Sequence, residues 1–392
     1  MNKKIKVLFI GHEASLSGAP LLLLNILNVV KHDPEIGIRI VLKRGGVLVN
    51  QLKDIGPTIQ IKSDNYRKST NFLYQLFDIV FSKFNFLKAA YWSLKADVIF
   101  NNTITNGRIL YHLSKFKTPV ITYVHELKDV AKLFEKENDT IYTIRHTDLF
   151  CCPSNAVSSF LTEEYKVPEN KKIIFPYYFP FDQYRHLITD ENKINLKNSY
   201  AEKYSIGANT IWIVCMGKIS YRKGYDIFIN IAEICHQKNP GKFSFIWIGD
   251  AENKVIEDEL QQVGLQLKNH NIHFVGMMPH SYDSLLPFDI FLLSSREDPY
   301  PLVVLEAAFQ KVPTICFKEA GGIQEFVGED AGWCMPDFSE IKVVEKLGEV
   351  SLFLPMITKK AEAAHLKVLQ LHGNESKTKE LFHTILKNQI II

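Results

Sequence analysis

Two segments of the sequence carry residue types and spacings with chemical consequences. The first is Gly217-Lys218-Ile219-Ser220-Tyr221-Arg222-Lys223-Gly224, directly after the apolar run Ile211–Met216. Lys218, Arg222 and Lys223 place three cations between two glycines. Such a loop could hold a polyanion such as a diphosphate. The glycines let the backbone come close, and a helix starting behind them adds the positive end of its dipole. A solvated basic loop is the plainer alternative. The second segment runs from Arg296 to Ala308 and sets Asp298 and Glu306 eight positions apart. Asp298 falls in a loop and Glu306 about one turn into a helix, so both carboxylates are aimed at one strand-end crevice. Carboxylates accept hydrogen bonds from sugar hydroxyls. The backbone around Tyr300, Pro301, Leu302 and Val303 opens that helix and can offer N–H groups to a phosphate. The plainer alternative is a helix with ordinary N-terminal acids. Glu306 would then be a charge within the apolar run Val303–Ala308, and such a charge needs a partner.

Other chemistries are excluded by pattern. None of the six cysteines forms a C-x-x-C pair, and most lie in apolar runs, as expected of buried thiols in a reducing compartment. Neither His12-Glu13 nor His125-Glu126 extends to H-E-x-x-H, and there is no G-x-S-x-G elbow. Gly217-Lys218 is followed by Ile219, so it is not a Walker A lysine. No G-x-G-x-x-G follows a predicted strand, which argues against a dehydrogenase. There is no Asp-x-Asp triplet, so no metal site is expected. No apolar run approaches the ~18–20 residues of a membrane span. The apolar start Val7–Ile10 is too short for a signal peptide, which predicts a cytoplasmic protein.

The elements that must position these segments follow from length and periodicity. A chain of 392 residues, 46% hydrophobic and 12% aromatic, is long enough for two domains and too apolar for global disorder. Strand-like runs at Ile5–Ile10, Ile38–Leu42, Asp97–Phe100, Val120–Val124 and Leu149–Cys152 alternate with helical patterns, Pro20 standing at a helix N1 position. The region 176–209 breaks the alternation and reads as an interdomain connection. Strands then resume at Ile211–Met216, Phe243–Ile248, Ile272–Val275, Ile290–Leu293 and Thr314–Phe317, and two helices close the chain. The pattern predicts an α/β protein of two doubly wound, Rossmann-like domains facing a cleft, in which strand-to-helix loops bind ligand. The expected domains are 1–185 on the acceptor side and 186–375 on the nucleotide-sugar side, with 376–392 as a helix crossing back to the first. Residues 1–185 hold 25 Lys and Arg against 17 Asp and Glu, and this basic half suits an anionic ligand or membrane surface. Chance scatter of surface lysines would give the same excess.

The second half resembles family 4 of the retaining, nucleotide-sugar-dependent glycosyltransferases of GT-B fold (glycosyl transferases group 1). The resemblance rests on Gly217, Lys223-Gly224, Asp298, Leu302 and Leu305-Glu306-Ala307. Ile248-Gly249-Asp250, Phe274-Val275-Gly276, Asp289–Ser294, Gly321-Gly322-Ile323 and Glu325 add to it. The first half is more weakly similar. Ser17-Gly18-Ala19-Pro20 stands where the family has a glycine-rich loop, and His125 follows a strand where the family often places a sugar-contacting histidine. Asn101-Asn102-Thr103 follows another strand and could line the cleft. Departures are Lys218 for the usual Arg, Asp298 for a common Glu, Ala19 for a second Gly and Gln324 for a frequent Pro.

The resemblance implies transfer of a sugar, with retention, from a UDP- or GDP-sugar to a hydroxyl of a glycan or lipid-linked acceptor, in bacterial surface polysaccharide synthesis. It implies no metal and no nucleic acid. Lys218 and Lys223 would stabilise the departing diphosphate, with Gly217, Arg222 and Gly18 donating to it. Glu306 would accept from the ribose, Asp298 from the donor sugar, and His125 would touch that sugar. Two other readings stay open: a nucleotide-sugar epimerase of the same fold, and a non-catalytic glycan- or nucleotide-binding subunit.

One further segment invites a partner. Residues 66–95 hold Arg67, Lys68, Lys83, Lys88 and Lys95 against Asp78 alone, with Tyr66, Phe84, Phe86, Tyr91 and Trp92 interspersed. Phe72, Leu73, Leu76, Phe77, Val80 and Phe81 recur at helical spacing. Core packing accounts for that stripe. Aromatics beside lysines also suit an anionic lipid headgroup surface, which predicts peripheral contact with the inner face of the cell membrane.

Overall fold

The structure, a computed structural model, describes residues 4–62, 72–114, 118–207, 209–278 and 281–390, and no side chain between 72 and 78. The chain divides into two units, Met1–Phe179 with Asn374–Ile392, and Pro180–Gly373.

The N-terminal unit holds a seven-stranded sheet. Its strands are β1 (Ile5–Gly11), β2 (Ile36–Leu42), β3 (Thr58–Gln60), β4 (Val98–Asn101), β5 (Val120–Tyr123), β6 (Leu149–Cys152) and β7 (Lys172–Ile174). All pair in parallel, in the order β3-β2-β1-β4-β5-β6-β7. The helices between them are α1 (Gly18–Val30), α2 (Val49–Ile55), α3 (Phe72–Leu94), α4 (Gly107–Leu113), α5 (Lys128–Glu135), α6 (Asp139–His146) and α7 (Asn155–Tyr165). β4, β5 and β6 are buried at every position, as expected of strands covered on both faces. Pro20 is the third residue of α1 rather than the first. The first four N–H groups of a helix have no partner within it, so a proline there costs no hydrogen bond.

The C-terminal unit opens with α8 (Asp190–Tyr204). Its strands are β8 (Ile211–Met216), β9 (Phe243–Ile248), β10 (Ile272–Phe274), β11 (Ile290–Leu293), β12 (Thr314–Phe317) and β13 (Gly332–Met335). These form a second parallel sheet, β10-β9-β8-β11-β12-β13. The helices are α9 (Tyr225–Lys238), α10 (Lys254–Asn269), α11 (Leu302–Phe309), α12 (Gln324–Val327), α13 (Glu340–Leu352) and α14 (Pro355–His372). Trp212, Phe228, Phe245, Trp247, Phe288 and Phe291 lie fully buried around this sheet.

The last helix, α15 (Glu375–Ile390), belongs to the N-terminal unit. Phe382 stacks on Phe9 at 6.1 Å and meets Phe100 edge-on at 5.3 Å, and His383 bonds Asp33 at 2.6 Å. The division falls at Phe179/Pro180, six residues before the sequence-based boundary at 185/186. The stretch read from sequence as a connection contains the fifteen-residue α8. That helix buries none of its residues, so it carries no apolar stripe for periodicity to detect.

Candidate functional site

Each sheet reverses its winding once, between β1 and β4 in the N-terminal unit and between β8 and β11 in the C-terminal unit. The loops leaving the strands at such a switch point flank the crevice where open α/β sheets bind ligands. Both singled-out segments of the second half leave β8 and β11, and are therefore neighbours across that point.

The β8–α9 loop is shaped by its glycines. Gly217 has φ 143° and Gly224 φ 69°. A Cβ on Gly224 would lie 2.0 Å from the carbonyl oxygen of Ser294, so only glycine lets the two loops touch. They are then tied together repeatedly. Ser294 Oγ donates to the Lys223 carbonyl at 3.0 Å, and the Arg296 N–H to the Arg222 carbonyl at 2.9 Å. Arg222 Nη1 donates to the Glu297 carbonyl at 2.7 Å. Lys223 Nζ makes an ion pair with Asp298 Oδ2, their side chains being 18% and 8% exposed. Asp298 is fixed in turn from the loop after β12, its N–H reaching the Ala320 carbonyl at 2.7 Å. Lys218 is exposed beside this pair in the chain.

α11 starts at Leu302 behind Pro301, with Leu302 and Val303 half-buried in its first turn. Glu306 is half-buried on the same helix, and its charge, added to burial, pushes the Tyr282 phenol up. Tyr300 is buried, and its hydroxyl hydrogen-bonds His372 Nε2 of α14 at 3.2 Å. Its side chain anchors a helix, which leaves the backbone as its contribution to any phosphate site.

Two residues outside the predicted set brace these loops. Arg296 grips Asp226 of α9 through Nη1 at 2.7 Å and Nη2 at 2.6 Å, and lies 3.8 Å over the Tyr221 ring. This fork-on-carboxylate geometry needs arginine. Burial works against the Asp226 charge, yet the Arg296 bonds hold its pKa below the ordinary carboxylate value. Arg296 lies in the loop three residues after β11 and Asp226 is the second residue of α9, so the sequence offered only a loop cation and a first-turn acid 70 positions apart.

In the N-terminal unit, Gly18 is the first residue of α1, and His125 follows β5. Asn102 Nδ2 donates to the Ala19 carbonyl at 2.7 Å, so its Oδ1 faces His125 Nε2, 3.1 Å away. Nε2 must then carry the proton, and Nδ1 accepts from the Tyr177 hydroxyl at 3.1 Å. Burial, with His12 nearby, lowers the His125 pKa to about 3, so the ring is neutral at physiological pH. Glu126, not predicted as a site residue, lies buried behind it. Its carboxylate accepts from the Thr103 hydroxyl, the His125 N–H at 2.9 Å and the Ile104 N–H at 3.2 Å, while burial pushes its pKa up. It thereby clamps the loop after β4 to the loop after β5. Tyr177 lay within the presumed connection, and its only signal was the aromatic run Phe175–Phe179.

Among the described residues no group of three or more His, Cys, Asp or Glu side chains could hold a metal ion. No helix among them is long and apolar enough to cross a membrane. The Met277 N–H donates to Asp250 Oδ1 at 3.1 Å.

Comparison with solved structures agrees with this fold along the whole chain. Anabaena Alr3699/HepE in complex with UDP superposes with a TM-score of 0.78 at 16% identity, over 98% of this chain and 100% of that one. The fold is GT-B. WaaG, a glycosyltransferase involved in lipopolysaccharide biosynthesis, is similar at a TM-score of 0.68 and 15% identity, over 96% and 99% of the two chains. Residues 210–350, all six strands of the second sheet and both of its switch-point loops, match the family described as Glycosyl transferases group 1. A curated relative is the alpha-galactosylglucosyldiacylglycerol synthase of Streptococcus pneumoniae (strain ATCC BAA-255 / R6). It is 26% identical over 151 residues, 38% of this chain and 38% of that protein, so the alignment spans well under half of either.

Proposed function

We propose that this GT-B protein transfers a sugar, with retained anomeric configuration, from a nucleoside diphosphate sugar to a hydroxyl of a glycan or lipid-linked acceptor. The observation that carries the proposal is the pair of cross-tied loops at the β8/β11 switch point. They hold Lys223 against Asp298, with Glu306 on the helix behind, inside the segment that matches the group 1 family.

In this reading Lys218 and Lys223 neutralise the diphosphate charge that grows as the bond from the anomeric carbon to phosphate oxygen breaks. Gly217, Arg222, Gly18 and the start of α11 orient the phosphates. Glu306 accepts from the ribose hydroxyls, and Asp298 both holds Lys223 and accepts from the donor sugar. The acceptor oxygen bonds the anomeric carbon, and its proton passes to the departing phosphate oxygen. His125 is assigned to touching the transferred sugar as a neutral ring, its two nitrogens being engaged by Asn102 and Tyr177. The reaction needs no metal, and the protein works in the cytoplasm on bacterial surface polysaccharide.

The complexes of the Anabaena protein with UDP and with UDP-glucose make UDP-sugars the first donors to test. A thermal-shift screen across UDP- and GDP-sugars tests the proposal. A ligand that binds the native state stabilises it by RT ln(1 + [L]/Kd), so the true donor raises Tm above the rest. No shift with any nucleoside diphosphate or its sugar would refute it.

A further inference from the structure

Helix α3 faces outward with the wrong surface for water. Val80, Phe84, Leu87, Tyr91 and Leu94 are 59%, 67%, 69%, 57% and 55% exposed. Their spacing of four, three, four and three residues sets them along one line of the helix, about 21 Å long. The opposite face is the one that packs. Ala89 and Trp92 are buried in the core beneath the helix, and Phe86 rests against it. Of the aromatics expected at a surface, Phe86 and Trp92 therefore turn inward, whereas Phe84 and Tyr91 turn out. Tyr66, Arg67 and Lys68 lie outside the described residues, as do the side chains of Phe72, Leu73, Leu76 and Phe77.

The flanks of the stripe identify its partner. At 100° per residue Lys83 lies along one edge and Lys88 and Lys95 along the other, and all three are exposed. Lys95 Nζ sits 6.0 Å over the Tyr91 ring, and Lys88 Nζ 5.3 Å over that of Trp92. No acidic residue occurs between 79 and 95. An antiparallel second copy of α3 would set lysines against lysines with no carboxylate to pair them. A sheet of anions with an apolar layer beneath satisfies both features at once.

We propose that the outward face of α3 is a docking surface for an anionic lipid bilayer. The five apolar side chains enter the headgroup boundary, and the three lysines lie among the lipid phosphates. This deepens the proposed function by bringing the protein to where a lipid-linked acceptor resides, but lipid binding is measured without turnover.

The test is co-sedimentation with phosphatidylcholine vesicles, with and without a third of phosphatidylglycerol, at low and high salt. The protein should bind the anionic vesicles, and salt should release it. Lys83→Gln/Lys88→Gln/Lys95→Gln should weaken that binding about a hundredfold, at roughly fivefold per lysine. Phe84→Ser/Leu87→Ser should weaken it at least about tenfold. Both variants should keep the wild-type Tm and its shift with UDP, which separates loss of docking from loss of fold or of the donor site. Failure of the wild type to bind anionic vesicles, or unchanged binding by both variants, would overturn the proposal. So would a dimer in light scattering that Phe84→Ser/Leu87→Ser abolishes, since the stripe would then belong to a second copy.

Discussion

Removing Lys223 should damage turnover and stability together, and a second change separates the two. Lys223 and Asp298 are 18% and 8% exposed, so each charge is largely withdrawn from water. Deleting one partner of a buried pair costs about 3–5 kcal/mol, because the survivor is left uncompensated. The residual exposure of Lys223 brings this to about 2–3 kcal/mol for Lys223→Ala, a drop in Tm of roughly 4–12 °C for a unit of this size. Replacing both charges, as Lys223→Met/Asp298→Asn, leaves no orphan and should return most of that Tm. Turnover should not return. A cation aimed at the leaving phosphate is worth about 3–4 kcal/mol in the transition state, so kcat/KM should fall about 10²–10³-fold in the single and double variants alike. The assays are calorimetry and release of nucleoside diphosphate from the donor found by thermal shift. Near-normal kcat/KM in Lys223→Ala, or recovery of both properties in the double variant, would show that Lys223 only holds the loops together.

Three further outcomes follow from other parts of the molecule. His125 is neutral in the fold down to about pH 3, against about 6.5 for a free histidine, so the unfolded chain binds the extra proton between those values. Its contribution to stability is complete above pH 6.5 and is lost as pH falls toward 3. Urea unfolding from pH 8 to 4.5 should therefore show a shallower pH slope in His125→Asn, by up to about 1.4 kcal/mol per pH unit, and identical slopes would count against the buried neutral ring. Phe382→Ala should cost about 3–5 kcal/mol, because the ring is 1% exposed against Phe9, Phe100 and Phe175. Chemical denaturation reads this, and a loss below ~1 kcal/mol would mean α15 does not share the N-terminal core. Activity should survive EDTA, and complete loss restored by Mg²⁺ or Mn²⁺ would refute the assignment of diphosphate charge to lysines.

The parallel sheets were legible because their central strands are continuous apolar runs, such as Val98–Phe100 and Phe243–Ile248, separated by helical patterns. β3, β7 and β13 open on Thr, Lys and Gly, so none is the unbroken aliphatic and aromatic run that marked β11. α8 was hidden for the opposite reason, since it buries nothing. The β8–α9 loop could be singled out because a glycine with positive φ and a cation cluster leave marks within a few positions. The bracing contacts could not. Arg296 and Asp226 are 70 residues apart, and Thr103 and Glu126 are 23 apart, so each pair exists only once neighbouring strands, β8 with β11 and β4 with β5, lie side by side. The α3 stripe was partly misjudged because aromatic composition does not say which side of a helix faces the core. The four-three spacing from Val80 does, once Ala89 and Trp92 are seen to point inward.

The most direct test of the account follows both products of one reaction. The protein is incubated with the donor found by thermal shift and a hydroxyl acceptor. Nucleoside diphosphate release is then measured alongside the proton coupling at the anomeric carbon of the new glycoside. Stoichiometric release, with the donor's anomeric configuration kept in the product, is the predicted result. Conversion of the donor to another nucleotide sugar without transfer, or a product of inverted configuration, would contradict it.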